Sequence, residues 1–233
     1  MDQIDVVHRN PSISPRNKIP FRKILLFCGL GICTISSIFS VFRDSADELN
    51  KRGLAYYKAG ETDKAISEFT KAIEKNPWPA KSYYNRGCTY ASINDYKKAI
   101  ADLSMAVRIN PEFDRAFFNR GSVYYKLGER EKAIRDFNIT IRINPDDAGA
   151  YASRGCVYAE KNENDKAIAD CTRAIELDPS LPEAYNNRGL AYFSDKQFSK
   201  AYTDLKKAQS LGYKVNPDIL KILPAILKKE ELK

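Results

Sequence analysis

The chain has 233 residues, with 38 Lys+Arg against 30 Asp+Glu and one His, for a net charge of +8. With 29% charged and 43% apolar residues it reads as globular rather than disordered, and 11 Gly and 11 Pro exclude collagen-like or Pro/Gly-rich sequence. The lone His8 and only five Cys argue against His-rich metal sites, Ser-His-Asp or Cys-His catalysis and a disulfide scaffold.

Residues 1–23 are polar, interrupted by Pro11, Pro15 and Pro20, and carry Arg9, Arg16, Lys18, Arg22 and Lys23. A flexible basic tail is expected there. Residues 24–42, ILLFCGLGICTISSIFSVF, run for 19 residues without a charge. As a helix at ~1.5 Å per residue the run is about 28 Å long, close to the ~30 Å hydrocarbon core of a bilayer. It also lacks the polar face of a core helix in a soluble domain. We expect a transmembrane helix acting as a signal anchor. A cleaved signal peptide stays open as the alternative, although no A-x-A-like triplet follows the run, and Ile32 before Cys33 disfavours lipoprotein processing. Four N-side basic charges crowd into residues 16–23, which favours a cytoplasmic N-terminus. The rest of the chain is then extracytoplasmic, periplasmic or lumenal.

Residues 46–215 repeat with a period of 34. Gly53, Gly87, Gly121, Gly155 and Gly189 fall in register, as do Tyr56, Tyr90, Tyr124, Tyr158 and Tyr192, and Ala65, Ala99, Ala133, Ala167 and Ala201. Pro77, Pro111, Pro145 and Pro179 close the first four units. The units are 46–79, 80–113, 114–147, 148–181 and 182–215. Each reads as two helices. The first stops near Gly60, Asn94, Gly128, Asn162 or Lys196, and the second at the residue before Pro. Gly at the eighth site of each unit allows close helix approach, with the twentieth-site Ala expected to face it. A single unit cannot bury its apolar face, so stacked units share one core. Residues 216–233 read as a capping helix, with Asn216 as N-cap, Pro217 as first helical residue and an apolar stripe of Leu220, Leu223 and Leu227. Pro224 is expected to kink it.

The segments LNKRGLAYYKAG, YYNRGCTYASIN, FFNRGSVYYKLG, YASRGCVYAEKN and YNNRGLAYFSDK carry G-x₂-Y…A-x₃-[F/L]…P in a 34-residue frame. This pattern resembles the tetratricopeptide repeat family. The resemblance implies an all-α fold: a right-handed solenoid of five helix-turn-helix repeats with a C-terminal cap, here behind an N-terminal hydrophobic helix. Two columns depart from the family. Its usual Trp is Leu49, Tyr83, Phe117, Tyr151 and Tyr185, and the Leu before the Gly is Arg52, Arg86, Arg120, Arg154 and Arg188. An acid stands at the twenty-third site of each unit: Glu68, Asp102, Asp136, Asp170 and Asp204. We expect each Arg to pair with the acid of its own unit.

Chemical signatures are scarce. There is no phosphate loop and no C-x-x-C, and Gly29-Leu30-Gly31 lies in the apolar run. Cys88, Cys156 and Cys171 read as small packing residues. Asn138-Ile139-Thr140 matches a glycosylation sequon but falls mid-helix. No cofactor or metal is expected. After the repeats and cap no residues remain for a catalytic domain, so an enzyme is not expected. The excess charge is too dilute for a nucleic-acid stripe.

The resemblance implies that the first helices line a concave groove that binds an extended protein segment. It points to Lys51, Lys58, Lys81, Tyr84, Asn85, Arg115, Phe118, Asn119, Tyr125, Lys126 and Asn187 as groove residues. Asn amides can hold a peptide backbone without reading its side chains. Basic and aromatic groups gather in the first three units, which suits a partner with acidic and apolar side chains. The fourth unit offers Gly149, Ala152 and Ala159. Asn50 and Leu54 stand where the family's carboxylate clamp wants Lys and Asn, which argues against a chaperone-tail ligand. The expectation is a membrane-anchored scaffold for assembly of a protein complex. A secreted, signal-cleaved protein and a regulatory subunit of an enzyme complex stay open.

Overall fold

The computed structural model describes residues 45–230 apart from Pro77. The expected basic tail and apolar segment, residues 1–42, lie outside the described residues. Among the described residues all regular structure is helical, and no helix is long and apolar enough to cross a membrane. The hairpins are α1 (Ala46–Lys58) with α2 (Thr62–Lys75), α3 (Ala80–Ser92) with α4 (Tyr96–Ile109), α5 (Asp114–Lys126) with α6 (Arg130–Ile143), α7 (Ala148–Glu160) with α8 (Asn164–Leu177), and α9 (Pro182–Ser194) with α10 (Phe198–Ser210). The last helix, α11 (Pro217–Glu230), follows them.

One backbone device turns every hairpin. Gly60, Asn94, Gly128, Asn162 and Lys196 have φ of 79°, 61°, 75°, 60° and 59°. The next residue donates its N–H back to the carbonyl of the repeated Tyr: Glu61 to Tyr56, Asp95 to Tyr90, Glu129 to Tyr124, Glu163 to Tyr158 and Gln197 to Tyr192, each at 2.9 Å. This six-to-one bond satisfies a carbonyl that the helix end leaves open. Lys196 holds the left-handed conformation without being Gly or Asn, at a cost of about 1 kcal/mol.

The second helices end before the repeated Pro in extended backbone at Asn76, Asn110, Asn144 and Asp178. Their side-chain oxygens accept the N–H two residues on, at 2.9, 3.1, 3.3 and 2.9 Å. This is why Asn or Asp precedes each Pro: the side chain makes the turn that the helix no longer can.

The core repeats too. Ala65, Ala99, Ala133, Ala167 and Ala201 are fully buried, as are Phe69, Leu103, Cys171 and Leu205 at the twenty-fourth site, with Phe137 there all but so. The partner of the eighth-site Gly is this twenty-fourth residue rather than the twentieth-site Ala. A Cβ on Gly53 would lie 2.5 Å from the Phe69 ring, and one on Gly155 would lie 2.7 Å from Cys171 Sγ. In the fourth and fifth units Ala167 and Ala201 contribute only a backbone oxygen, at 3.2 and 3.3 Å.

Every Arg pairs with the acid of its unit. Arg52 Nε donates to Glu68 at 2.6 Å. Arg86, Arg120, Arg154 and Arg188 each clasp Asp102, Asp136, Asp170 or Asp204 with two donors at 2.6–2.9 Å. Those four donate a third bond to the preceding unit, to Thr70, Ser104, Asn138 and Thr172. They also lie over the rings that flank them, as Arg120 does over Phe117 at 5.4 Å and Tyr124 at 5.9 Å. The planar guanidinium suits this combination of forked bonds and ring stacking. Asn138 of the sequon is thus a strut between units.

At the C-terminal end Asn216 caps α11 through the Asp218 N–H at 2.9 Å, and the helix runs on through Pro224. Leu223 is fully buried and Leu220 packs beside it with Ile219, which was not expected. Leu227 is only half-buried. Val215 and Tyr213, from the link before α11, complete this cluster.

Candidate functional site

The first helices of successive units line one face, which is broken into two hollows. The first, of about 500 Å³, is walled by Leu54 and Tyr57 of α1, Tyr84, Asn85, Cys88 and Ser92 of α3, and Asn119, Ser122 and Lys126 of α5, over Phe69. The second, of about 400 Å³, lies between Tyr125 of α5, Gly149, Ala152, Ser153 and Cys156 of α7, and Glu183 and Asn187 of α9. The small side chains of the fourth unit open it. Tyr213, from the link after α10, reaches its wall.

The structure thus brings Tyr84, Asn85, Asn119 and Lys126 together in the first hollow, and Tyr125 and Asn187 in the second. Lys81 lines a third hollow, of about 320 Å³, at the start of α3. Lys51, Lys58 and Arg115 are exposed but line none of these three. Phe118 is half-buried with its ring centroid 5.7 Å from that of Phe137, on the second helix of its own unit.

The amides do two things at once. Asn85 Nδ2 donates to Asn50 Oδ1 at 3.0 Å, Asn119 Nδ2 to the Tyr84 hydroxyl at 2.9 Å, and Asn187 Nδ2 to the Ala152 carbonyl at 3.2 Å. Each bond crosses from one unit to the one before it. The row therefore fixes its own rotamers before any ligand arrives, which lowers the ordering cost of binding.

Cys88 packs against the core of Ala99, Leu103 and Val123, as expected of it, and both it and Cys156 also face the hollows. Both are half-buried free thiols on the hollow walls, and only Cys171 is core. Burial pushes the Cys88 thiol up to about 11, against hydrogen bonds with Tyr84 and Asn119 that favour the thiolate. Burial also raises Cys156, and lifts Cys171 to about 12. Tyr84 is raised to about 12, chiefly by burial and then by Cys88. None of these groups is activated as a nucleophile or general base. Among the described residues no group of three His, Cys, Asp or Glu side chains could hold a metal ion.

Charge divides the two hollows. Lys126 sits on the first. The second carries Glu183, and at its edge Glu160 accepts from the Tyr125 hydroxyl at 2.5 Å and from Arg130 Nε at 3.0 Å. Glu160 and Tyr213 were not among the expected site residues. The first follows from the groove pattern, since it holds the thirteenth site of its unit. The second stands in the fifth unit at the site that holds Pro in the other four, outside the first-helix positions that the groove pattern covers.

Tetratricopeptide repeat family models match residues 46–77, 80–113, 115–147 and 182–211, and a further TPR repeat model matches 155–196. The chain belongs to the tetratricopeptide repeat family. No curated protein matches it. Among solved structures, MamA is 29% identical over 68% of this chain and 93% of its own, with a TM-score of 0.63. YrrB, described as a TPR protein with an unusual peptide-binding site, is 24% identical over 83% of this chain and 97% of its own, at 0.64. PilF of Pseudomonas aeruginosa is 17% identical over 80% and 86%, at 0.71. The last two likenesses speak to the tetratricopeptide fold alone.

Proposed function

We propose that this tetratricopeptide repeat protein is a membrane-anchored scaffold that holds an extended segment of a partner protein against its first three units during assembly of a complex. One observation carries the reading: the first hollow combines apolar walls, pre-set amides and a cation. Leu54, Tyr57 and Tyr84 suit an apolar side chain, the Asn85 and Asn119 amide oxygens suit backbone N–H donors, and Lys126 at the rim draws in an acidic segment. The fold supports this reading, since YrrB is described as carrying a peptide-binding site on it. Anchoring rests on the uncharged run 24–42, and the repeats lie on the extracytoplasmic side in this reading.

Two matched substitutions test the site. Ser92 lines the first hollow and Ser153 the second. Ser92→Phe fills the binding hollow and is expected to weaken partner capture by about 10-fold or more, while Ser153→Phe changes it by less than about 3-fold. Crosslinking and mass spectrometry of intact cells, with thermal melting as a folding control, give the readout. Equal capture by both folded variants would reject the first hollow as the site.

A further inference from the structure

The single tryptophan stands where its sequence register calls for a polar residue. Trp78 is the thirty-third residue of the first unit; the same site holds Glu112, Asp146 and Ser180 in the next three. Those three are exposed, as their polarity suits. Trp78 is exposed as well, at 72%. It borders the third hollow, with Pro79 and Phe113 beside it and Ala46 and Asp47 of the start of α1 across from it. An indole this open gains nothing for the core, and the equivalent loops do without one.

Its location suggests what covers it. The first helix begins at Ala46, with Ser45 capping it through the Glu48 N–H at 3.1 Å. The uncharged run ends at Phe42. Four residue steps separate the two, at most about 14 Å of chain at ~3.6 Å per residue. In the anchored reading, this bounds the distance from the start of α1 to the hydrocarbon edge. The polar headgroup layer beyond that edge is itself ~5–8 Å deep. Trp is the residue that favours this layer, with its ring against the acyl boundary and its N–H toward water. Lys81 and Asp47 share the hollow with opposite charges, so lipid charge is not what draws the indole in.

We infer that Trp78 is a bilayer contact: the loop edge of the first two units rests on the membrane surface, with the indole in the headgroup layer of a phospholipid leaflet. This rests on the anchored reading of residues 24–42. The contact fixes the tilt of the solenoid at one end and leaves the fourth and fifth units away from the lipid.

Because Trp78 is the only tryptophan, its fluorescence reports this contact alone. The full chain is reconstituted in phosphatidylcholine vesicles brominated near the headgroup end of the acyl chains, and in a second set brominated near the methyl ends. Retention through an alkaline carbonate wash reports the anchor independently. The expected result is a retained chain whose emission moves to shorter wavelength and is quenched more by the shallow bromines than by the deep ones. A second chain, carrying Trp78→Ser and Ser180→Trp, is expected to stay unquenched. A retained chain with water-like, unquenched Trp78 emission overturns the contact and leaves the anchor standing. A blue shift without quenching means that protein, a partner or a second copy, covers the indole, and overturns it too. Quenching of Trp at site 180 would mean that the whole edge lies on the bilayer and would overturn a local contact. A chain lost to the carbonate wash with unshifted emission overturns both readings.

Discussion

The two halves of the groove share one backbone plan and differ in almost everything placed on it. In units one to three the face carries Tyr57, Tyr84, Asn85, Asn119 and Lys126 around an open hollow. In units four and five it carries Gly149, Ala152 and Ser153, with Tyr213 at its wall, Glu183 on it and Glu160 pinning Tyr125 beside it. Behind that face the framework recurs unit by unit: the Arg–acid clasp between the two helices, the buried Ala column on the second helix and the Tyr-carbonyl turn. Periodic sites hold the solenoid together, whereas the sites that break the period give each hollow its chemistry. Function should therefore follow the irregular positions, and stability the regular ones.

The largest expected effect tests the regular side. Arg120 and Asp136 keep 16% and 5% of their side-chain surfaces exposed, and Arg154 and Asp170 keep 18% and 11%. The aspartate bonds hold each guanidinium above its ordinary range, so both arginines stay charged at any accessible pH. Replacing the arginine leaves a nearly buried carboxylate without its partner and cuts the bond to the preceding unit. Arg120→Ala and Arg154→Ala should each cost about 3 kcal/mol in urea denaturation. Similar losses on both sides of the groove divide would show that the framework is uniform. A loss under about 1 kcal/mol in either would reduce that clasp to a surface ion pair.

The next effect reads the irregular side. A thiol raised to about 11 at Cys88, against an ordinary value of 9.0, is about 100-fold poorer in thiolate at pH 8. Peptide-mapped iodoacetamide labelling should be slower by about that factor than for a small-molecule thiol of ordinary acidity. Because burial disfavours the thiolate, the rate should keep rising with pH beyond 9 and level off only near 11. A plateau at 9 would mean that the wall of the first hollow is wetter than its packing indicates. A bound segment should slow Cys88 further and leave Cys156 unchanged.

How much of this could be read from the chain alone follows the same divide. Helix stops at Gly60, Asn94 and Asn162, the Arg–acid pairing and the buried Cys171 all lie in columns that repeat five times, and repetition makes a local rule visible. The partner of the eighth-site Gly was misjudged because spacing along a hairpin does not say which of two nearby side chains leans across; bulk at the twenty-fourth site decides it. That Cys88 and Cys156 also face the hollows is not legible in the chain, because a lone thiol type cannot distinguish a core from a hollow wall. The third bond of each Arg, to Thr70, Ser104, Asn138 or Thr172, crosses units and joins sites whose residue types vary. Tyr213 breaks the column that holds Pro in the other four units, so no repetition announces it.

The smallest effect sharpens the division of charge. Lys126 is exposed at the rim of the first hollow, with Nζ 5.9 Å from the centroid of the Tyr96 ring. A rim charge acts mainly on encounter, through a field that salt screens. Lys126→Glu should therefore slow association of an acidic segment by about 3-fold at low ionic strength and have little effect at high salt. The off-rate, set by the apolar walls and the amides, should hardly move. Stopped-flow binding across a salt series separates the two. A change confined to dissociation would place Lys126 in direct contact with the ligand, and an unchanged on-rate at low salt would mean that the segment held by the first three units is not acidic.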